Sequence, residues 1–359
     1  MMTSLAQGIE APRSALEPVL ATLVGRPIRR LQSVGGGRNS RIYQIVCDDG
    51  SMFCAKHYFN HQRDTRNRLE VESEALRFLW GHGVRDIPRP VASDRERNVA
   101  VYEWIEGVDV PTNALTTRSI DEAVEFLSRL KALRAEAASR ELPAASEACL
   151  SLEAAVRHVE RRLARLSAVS SDPSSPQAFR VFLNEGLRPL FDEVVRSSHG
   201  RAQRAGWSFT AELALEASTL SPSDFGFHNA LRRADGRLAF LDFEYFGWDD
   251  PAKMLSDFLL HPAMQIPEAL KHRFAAGVFN CFGELPVLPE RAALMYPLCA
   301  LKWCTILLNE FVPEHLDRRR FANDREVSGE QLLDRQLAKA QRMLEHARAA
   351  DGFPYGARS

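Results

Sequence analysis

Ser223-Asp224-Phe225-Gly226-Phe227-His228-Asn229 is followed by the apolar run Leu238-Ala239-Phe240-Leu241, by Asp242-Phe243-Glu244-Tyr245, and by Asp249-Asp250-Pro251. Two short apolar segments, Leu220-Ser221 with its neighbours and Leu238–Leu241, each deliver a carboxylate at a turn. An asparagine stands five residues beyond the first of these carboxylates. A single aspartate near a turn ordinarily serves as a cap or turn residue. Two carboxylates and a spaced asparagine within one short stretch ask for another explanation.

Phosphoryl transfer from a nucleotide supplies one. It demands little covalent work from a protein, but it needs a carboxylate to hold Mg²⁺ and a second one to accept or orient the proton of the acceptor hydroxyl. A further oxygen ligand, commonly an Asn amide, completes the metal shell. The spacing Asp224-x-x-x-x-Asn229 matches kinase catalytic loops, where one turn carries both the base and a metal ligand. Asp224 is therefore the expected catalytic residue, acting as general base or as orienting acceptor, and Asn229 and Asp242 are the expected metal ligands. Asp250, directly before Pro251, reads as a helix N-cap, and Asp257 is expected to be structural.

The order Asp224-x-x-x-x-Asn229, then Leu241-Asp242-Phe-Glu-Tyr-x-Gly247-x-Asp-Asp250-Pro251, then Asp257, resembles the aminoglycoside phosphotransferase and choline kinase-like family. The family's usual segment opens with His-Gly-Asp and carries a second His two residues after the Asp. Here Ser-Pro-Ser precedes Asp224, Gly226 occupies that second position, and His228 lies two residues further on. The resemblance runs from about residue 30 to 310 and is strongest between 220 and 258. It implies an α+β protein of two-lobed protein kinase-like fold. Residues 1–105 would form a small antiparallel-sheet lobe for nucleotide binding, and residues 106–359 a mainly helical lobe with the catalytic and metal-binding loops. It further implies ATP and Mg²⁺ as cofactors and a small-molecule hydroxyl as acceptor.

The N-terminal half supplies matching parts. Ala15–Val24 reads as a leading amphipathic helix. Strands are expected at 28–34, 42–47 and 52–58, with Asp48-Asp49-Gly50 as a hairpin turn. Gly35-Gly36-Gly37 between the first two strands lets backbone amides approach phosphates closely, because no Cβ intervenes. The stretch Gly35 to Arg41, including Asn39 and Ser40, resembles the family's nucleotide loop. In the third strand, period-two alternation puts Met52, Cys54 and Lys56 on one face. A lysine among apolar neighbours is costly unless its ammonium meets an anion, and nucleotide phosphates provide one; a lysine snorkelling at a strand end is the plainer alternative.

After Asp64, read as an N-cap, residues 66–82 have helical spacing, with Leu69, Glu72, Leu76 and Leu79 on one stripe. An acid on an apolar stripe wants a cation, and Lys56 is the obvious one. The resemblance makes Glu72 the partner of the strand lysine, with Glu70 and Glu74 as nearby rivals. Pro88 and Pro90 bracket an expected loop before a strand at 99–105. By resemblance that strand leads into the hinge, where the main chain of Glu103 and Ile105 would pair with the adenine edge.

Beyond residue 117 the pattern is helical, with segments near 119–137, 151–167, 177–198, 251–260, 267–282, 289–309 and 328–349. Arg157, Arg161, Arg162 and Arg165 give one helix a basic character, most simply a solvated face. Trp303, Leu307 and Phe311 read as core. Trp248, expected in a loop beside the metal site, is the aromatic assigned to the acceptor pocket.

Composition sets the outer bounds. The chain has 359 residues, enough for two domains of about 150 each, and 45% of them are hydrophobic. A net charge of −1 argues against a broad nucleic-acid surface. No run of some 20 apolar residues suggests a membrane span, and no basic segment with an apolar core suggests a signal peptide. The six cysteines include no Cys-x-x-Cys pair and read as reduced core residues of a cytoplasmic protein. Oligomeric state stays open.

Residues 310–359 balance nine acidic against nine basic residues, which gives little field to collect a polycation. The expected function is therefore ATP-dependent phosphorylation of a metabolite hydroxyl, a sugar or amino alcohol for example. A catalytically silent nucleotide-binding protein and an aminoglycoside-modifying enzyme are the alternatives. A protein kinase is disfavoured because Gly247 and Pro251 close the region after Asp242 without a long activation loop or an Ala-Pro-Glu segment.

Overall fold

The computed structural model describes residues 13–36, 39–59, 67–313, 315, 329–349 and 352–356. The chain divides after Glu106 into two compact units.

The first unit is built on an antiparallel sheet of five strands: β1 (Ile28–Gly36), β2 (Ser40–Cys47), β3 (Met52–Tyr58), β4 (Pro90–Asp94) and β5 (Val99–Glu103), in the order β1-β2-β3-β5-β4. Gly50, in the turn between β2 and β3, takes φ +83°, a left-handed conformation that glycine adopts without a Cβ penalty. Alternation along β3 sorts its side chains onto two faces. Phe53 and Ala55 join Leu31, Tyr43, Ile45, Val99 and Val101 in a core that α1 (Arg13–Val24) closes with Leu16 and Leu20. Lys56 and Tyr58 lie on the opposite face, toward α2 (Arg68–Gly81), which buries Leu69, Glu72, Leu76 and Leu79 as its periodicity requires.

Helix α2 is capped by Asn67, whose side chain accepts from the Glu70 amide; Asp64 lies outside the described residues. The loop bracketed by Pro88 and Pro90 is present, and it leads into an edge strand, β4, that was not expected from the sequence. Proline is tolerated at the first residue of such a strand because its missing N–H can face away from the ladder.

The second unit is mainly helical: α3 (Thr117–Ala132), α4 (Leu152–Ser170), α5 (Gln177–Val181), α6 (Arg188–Arg204), α7 (Pro251–Leu260), α8 (Glu268–Cys281), α9 (Leu288–Leu307) and α10 (Gly329–Ala349). The helix expected at 177–198 is interrupted at Phe182–Leu187 by a π-helical turn before resuming as α6. All ten residues of α7 are buried, and α9 packs against α4, α7 and α10. Leu288–Phe311 is long and apolar enough to cross a membrane by length and composition, yet 83% of its apolar 18-residue window is buried within the protein. A helix hydrophobic all round is what the centre of a helical unit calls for.

Short strands hold the loops that this helical core supports. β6 (Val108–Asp109), β8 (Ala230–Arg232) and β9 (Leu238–Phe240) form one antiparallel sheet, and β7 (Thr219–Ser221) pairs with β10 (Gly247–Asp249). β6, β8 and β10 were not expected from sequence, since two or three residues are too few for a periodicity to show.

Candidate active site

The site residues of the second unit are gathered by backbone pairing. Gly247 opposes Ser221 in the β7–β10 ladder, so the segment from Pro222 to Phe246 leaves and returns at one place. Gly247 is required there: a Cβ would lie 2.4 Å from the Pro143 carbonyl oxygen and 2.5 Å from the Ala145 nitrogen. Within the segment, Ala230 opposes Phe240 in the β8–β9 hairpin, and the Leu241 amide donates to the Asn229 carbonyl at 2.8 Å. Asn229 and Asp242 therefore stand at the same end of one hairpin.

Asp224 is drawn to the same end by Asn229, whose Nδ2 donates to the Asp224 carbonyl at 2.9 Å. That bond also orients the amide, because with Nδ2 engaged the Oδ1 atom remains to accept or to ligate. Ser223 and Asp242 both take positive φ, +65° and +66°, a left-handed conformation that non-glycine residues adopt at some energetic cost and that often marks functional turns. Phe225 and Phe227 offset the strain by anchoring the loop. Phe225 packs on Phe126, Phe240 and Phe258, and Phe227 meets Phe258 edge-on. Alternation along the loop thus sinks the phenylalanines and leaves the Asp224 side chain 31% exposed.

Two histidines complete this arrangement. His228 and His261 both place Nε2 beside Asp224 Oδ1, at 3.2 and 3.1 Å. Burial pushes the Asp224 carboxyl up, but the hydrogen bonds from His228 and His261 outweigh it and hold the group well below the usual carboxylate range. Burial in turn lowers His261 below its ordinary value, partly offset by the Asp224 carboxylate. His261 carried no signal in the sequence, because it follows α7 and reaches Asp224 only through the packing of that helix.

Asp242 and Asn229 offer a carboxylate and an amide oxygen, both hard donors of the kind Mg²⁺ takes. The expected pair of ligands therefore fits that ion.

The neighbouring carboxylates behave differently. Asp250 caps α7 by accepting from the Ala252 amide and pairs with Arg291 at 2.5 Å. Asp249 is fully buried and accepts from Lys253 at 2.6 Å and from the Cys149 and Asp250 amides. Asp257 is bound by Lys302 at 2.5 and 2.7 Å and by Lys253 at 3.1 Å. Both Asp250 and Asp257 are thus structural, as read from the sequence.

Trp248 does not line an acceptor pocket. It lies in β10, is 4% exposed, and donates its indole N–H to the Ser139 carbonyl at 2.8 Å. A strand residue paired with Leu220 turns its ring into the core; the indole N–H, which needs a partner when buried, finds one there.

In the first unit, Lys56 Nζ meets Glu72 Oε2 at 2.7 Å, with both side chains nearly buried. Glu72 Oε2 also accepts from the Tyr58 hydroxyl at 2.7 Å, and Tyr58 is hydrogen-bonded to Tyr102 at 2.7 Å. Burial, reinforced by the Glu72 charge, raises Tyr58 well above its ordinary pKa, so the phenol stays protonated. The rival acids are occupied elsewhere: Glu70 pairs with Arg95 at 2.5 Å, and Glu74 is half exposed.

Gly35 and Gly36 end β1 opposite Ile42 and Arg41, past a register shift at Ser33/Gly35. Ser40 is buried opposite Tyr58, and the Asn39 carbonyl accepts from the Phe59 amide. Gly37 lies outside the described residues. The Glu103 amide donates to the Arg89 carbonyl at 2.8 Å. Ile105 is buried.

No curated protein sequence matches the chain. Among solved structures, spectinomycin phosphotransferase APH(9)-Ia, in complex with ADP and spectinomycin, is 14% identical with a TM-score of 0.65, covering 96% of this chain and 99% of its own. Choline kinase LicA from Streptococcus pneumoniae is 14% identical with a TM-score of 0.60, over 93% and 98% of the two chains. The APH(2″)-IIa structure with gentamicin is also 14% identical with a TM-score of 0.60, over 93% and 97%. These likenesses show the two-lobed protein kinase-like fold. Residues 30–294, most of the chain and including every one of the expected site residues, match the phosphotransferase enzyme family, and the chain belongs to that family.

Proposed function

We propose that the protein transfers the terminal phosphoryl group of ATP to a hydroxyl of a small molecule. The observation that carries this reading is the convergence of Asp224, Asn229 and Asp242 at one hairpin end, fixed by the Asn229 Nδ2 and Leu241 N–H bonds. Asp242 and the Asn229 amide oxygen would hold Mg²⁺, which supplies charge neutralisation on the phosphates. Asp224, held in its ionised form, would accept the hydrogen bond of the attacking hydroxyl and orient it. With its basicity lowered, orientation is the larger part of its task, in keeping with the loose character of phosphoryl-transfer transition states.

In the first unit, Lys56 would bind phosphate oxygens, with Glu72 and Tyr58 fixing its ammonium. Gly35, Gly36, Asn39 and Ser40 would approach the phosphates, and the main chain of Glu103 and Ile105 the base. The six unpaired cysteines support a reducing, cytoplasmic setting.

For the acceptor, the balanced charge of residues 310–359 favours a metabolite alcohol over a polycationic drug. The test is ATP consumption by purified protein across a panel of sugars, amino alcohols and aminoglycosides. Turnover with one class, lost in Asp224→Ala, is expected. Tight Mg²⁺-ATP binding with no acceptor-dependent turnover would reject the enzyme in favour of a silent nucleotide-binding protein.

A further inference from the structure

Asp224 is braced in a way that the catalytic motif itself does not require. His228 and His261 stack with ring centroids 3.8 Å apart and planes 10° from parallel, and both aim Nε2 at the same carboxylate oxygen, Oδ1. The tautomer of His261 follows from its other nitrogen: Nδ1 accepts from the Ala263 amide at 3.2 Å, so the proton of the neutral ring sits on Nε2 and is donated to Asp224. His228 Nδ1 is buried with no hydrogen-bond partner among the described residues, so the Nε2–H tautomer is the one that gains a bond. Trp303 meets the His261 ring edge-on, with centroids 4.6 Å apart.

Gly226 belongs to the same device. A Cβ at this position would lie 2.4 Å from Met264 Sδ and 2.9 Å from His228 Nδ1. Its backbone is extended, with φ 165°, so space alone favours glycine here: the Met264 thioether can swing aside, whereas the His228 ring is held by its bond to Asp224. Any side chain here would push on Met264, which receives the Phe227 amide, and on the ring that contacts Asp224.

We propose that His228 and His261 are positioning residues that clamp Asp224 through Oδ1 and reserve Oδ2 for the acceptor hydroxyl, with Gly226 as the gap that admits the clamp. Two donors on one oxygen fix the rotation of a carboxylate that is one-third exposed. A metal ion about 2.1 Å from both nitrogens would sit far out of both nearly parallel ring planes, an offset that the longer hydrogen bonds to Oδ1, at 3.2 and 3.1 Å, tolerate. The inference rests on the phosphotransferase reading for its catalytic meaning, while the hydrogen bonds can be tested without it.

The independent test is long-range ¹H–¹⁵N NMR of the histidine rings in the full chain at neutral pH, with assignments from His228→Gln and His261→Gln. Both rings should be Nε2–H tautomers, and both Nε2–H signals should shift in Asp224→Asn. An Nδ1–H tautomer at His261, or Nε2–H signals indifferent to Asp224→Asn, would overturn the clamp whether or not the protein is a kinase.

The kinetic test uses Mg²⁺-ATP hydrolysis with water as acceptor, which needs no identified substrate. His261→Phe should lower kcat by about 10²-fold, the size of effect expected when a reacting group is misplaced, with KM for ATP unchanged. His261→Gln, which can present an amide N–H at the Nε2 position, should recover most of the rate. Equal losses in Phe and Gln variants, a parallel rise in KM, or tight Zn²⁺ binding abolished by His261→Gln would each overturn it. Failure of the wild type to bind or turn over Mg²⁺-ATP, with the tautomers as stated, would instead remove the phosphotransferase reading and leave the clamp standing.

Discussion

Two carboxylate-bearing segments follow one another in the chain, the loop from Ser223 to Asp242 and the head of α7 from Asp249 to Asp257, and their acids do opposite work. In the second segment every acid is saturated: Asp249, Asp250 and Asp257 are buried and matched by Lys253, Arg291 and Lys302. In the first, Asp224 keeps a partly exposed side chain with two histidine nitrogens on one oxygen, and Asp242 sits half-buried in a left-handed turn. A buried acid with its own cations is stability and registration. Asp224, partly exposed and held ionised by the hydrogen bonds of its two histidines, is poised to meet a ligand.

The sharpest break between the two segments should come from Asp242→Asn. Turnover should fall to background and Mg²⁺-dependent nucleotide affinity should drop, while the thermal midpoint hardly moves. Unchanged Mg²⁺-ATP affinity by calorimetry would remove Asp242 from the metal site.

Asp224→Ala should lower kcat by about 10²–10⁴-fold and leave nucleotide affinity nearly intact. If nucleotide binding fell as far as turnover, Asp224 would be a metal or structural residue and would belong with the α7 acids instead.

Lys56 and Glu72 are a buried ion pair like those at α7, yet they are proposed to act on phosphate. A double-mutant cycle on kcat/KM should show strong non-additivity, because either single change already disables the unit. Additive losses would class the pair as structural.

Asp257→Asn should give the converse result to Asp242→Asn. Removing one member of a buried pair destabilises by about 3–5 kcal/mol, read by denaturant unfolding, whereas turnover per folded molecule should stay near wild type.

The smallest effect is the pH dependence of that loss. Burial pushes the Asp257 carboxyl up, but Lys302 and Lys253 hold it below its ordinary value of 3.8. A depressed folded-state pKa contributes stability that is complete above the unfolded value and disappears as pH falls through the folded one. The stability gap between wild type and Asp257→Asn should therefore be flat from neutral pH down to about pH 5 and close below about pH 4. A gap that widened on acidification would contradict the pairing.

Much of this was legible because it is local. The Asp224–Asn229 spacing, the Asp242 turn, the Asp250 cap, the Asp-Gly hairpin and the stripe of Leu69, Glu72, Leu76 and Leu79 each depend on residues within a few positions of one another. The period-two and 3.6-residue repeats then fix which side chains share a face. Lys56 and Glu72 could be paired from sequence because each broke an apolar pattern with opposite charge, and burial makes such breaks seek each other.

What the sequence left undecided were contacts between distant segments. Trp248 follows closely in the chain on the carboxylate proposed to hold the metal, and only its pairing with Leu220 and its bond to Ser139 show it to be core. Asp250, readable as a cap, gained its Arg291 partner from α9. His261, with nothing local to mark it, becomes a ligand of Asp224 because α7, fixed by its buried ion pairs, ends beside the loop. A periodicity records which face of an element is apolar; it carries no record of which element covers that face, and that choice was made by packing alone.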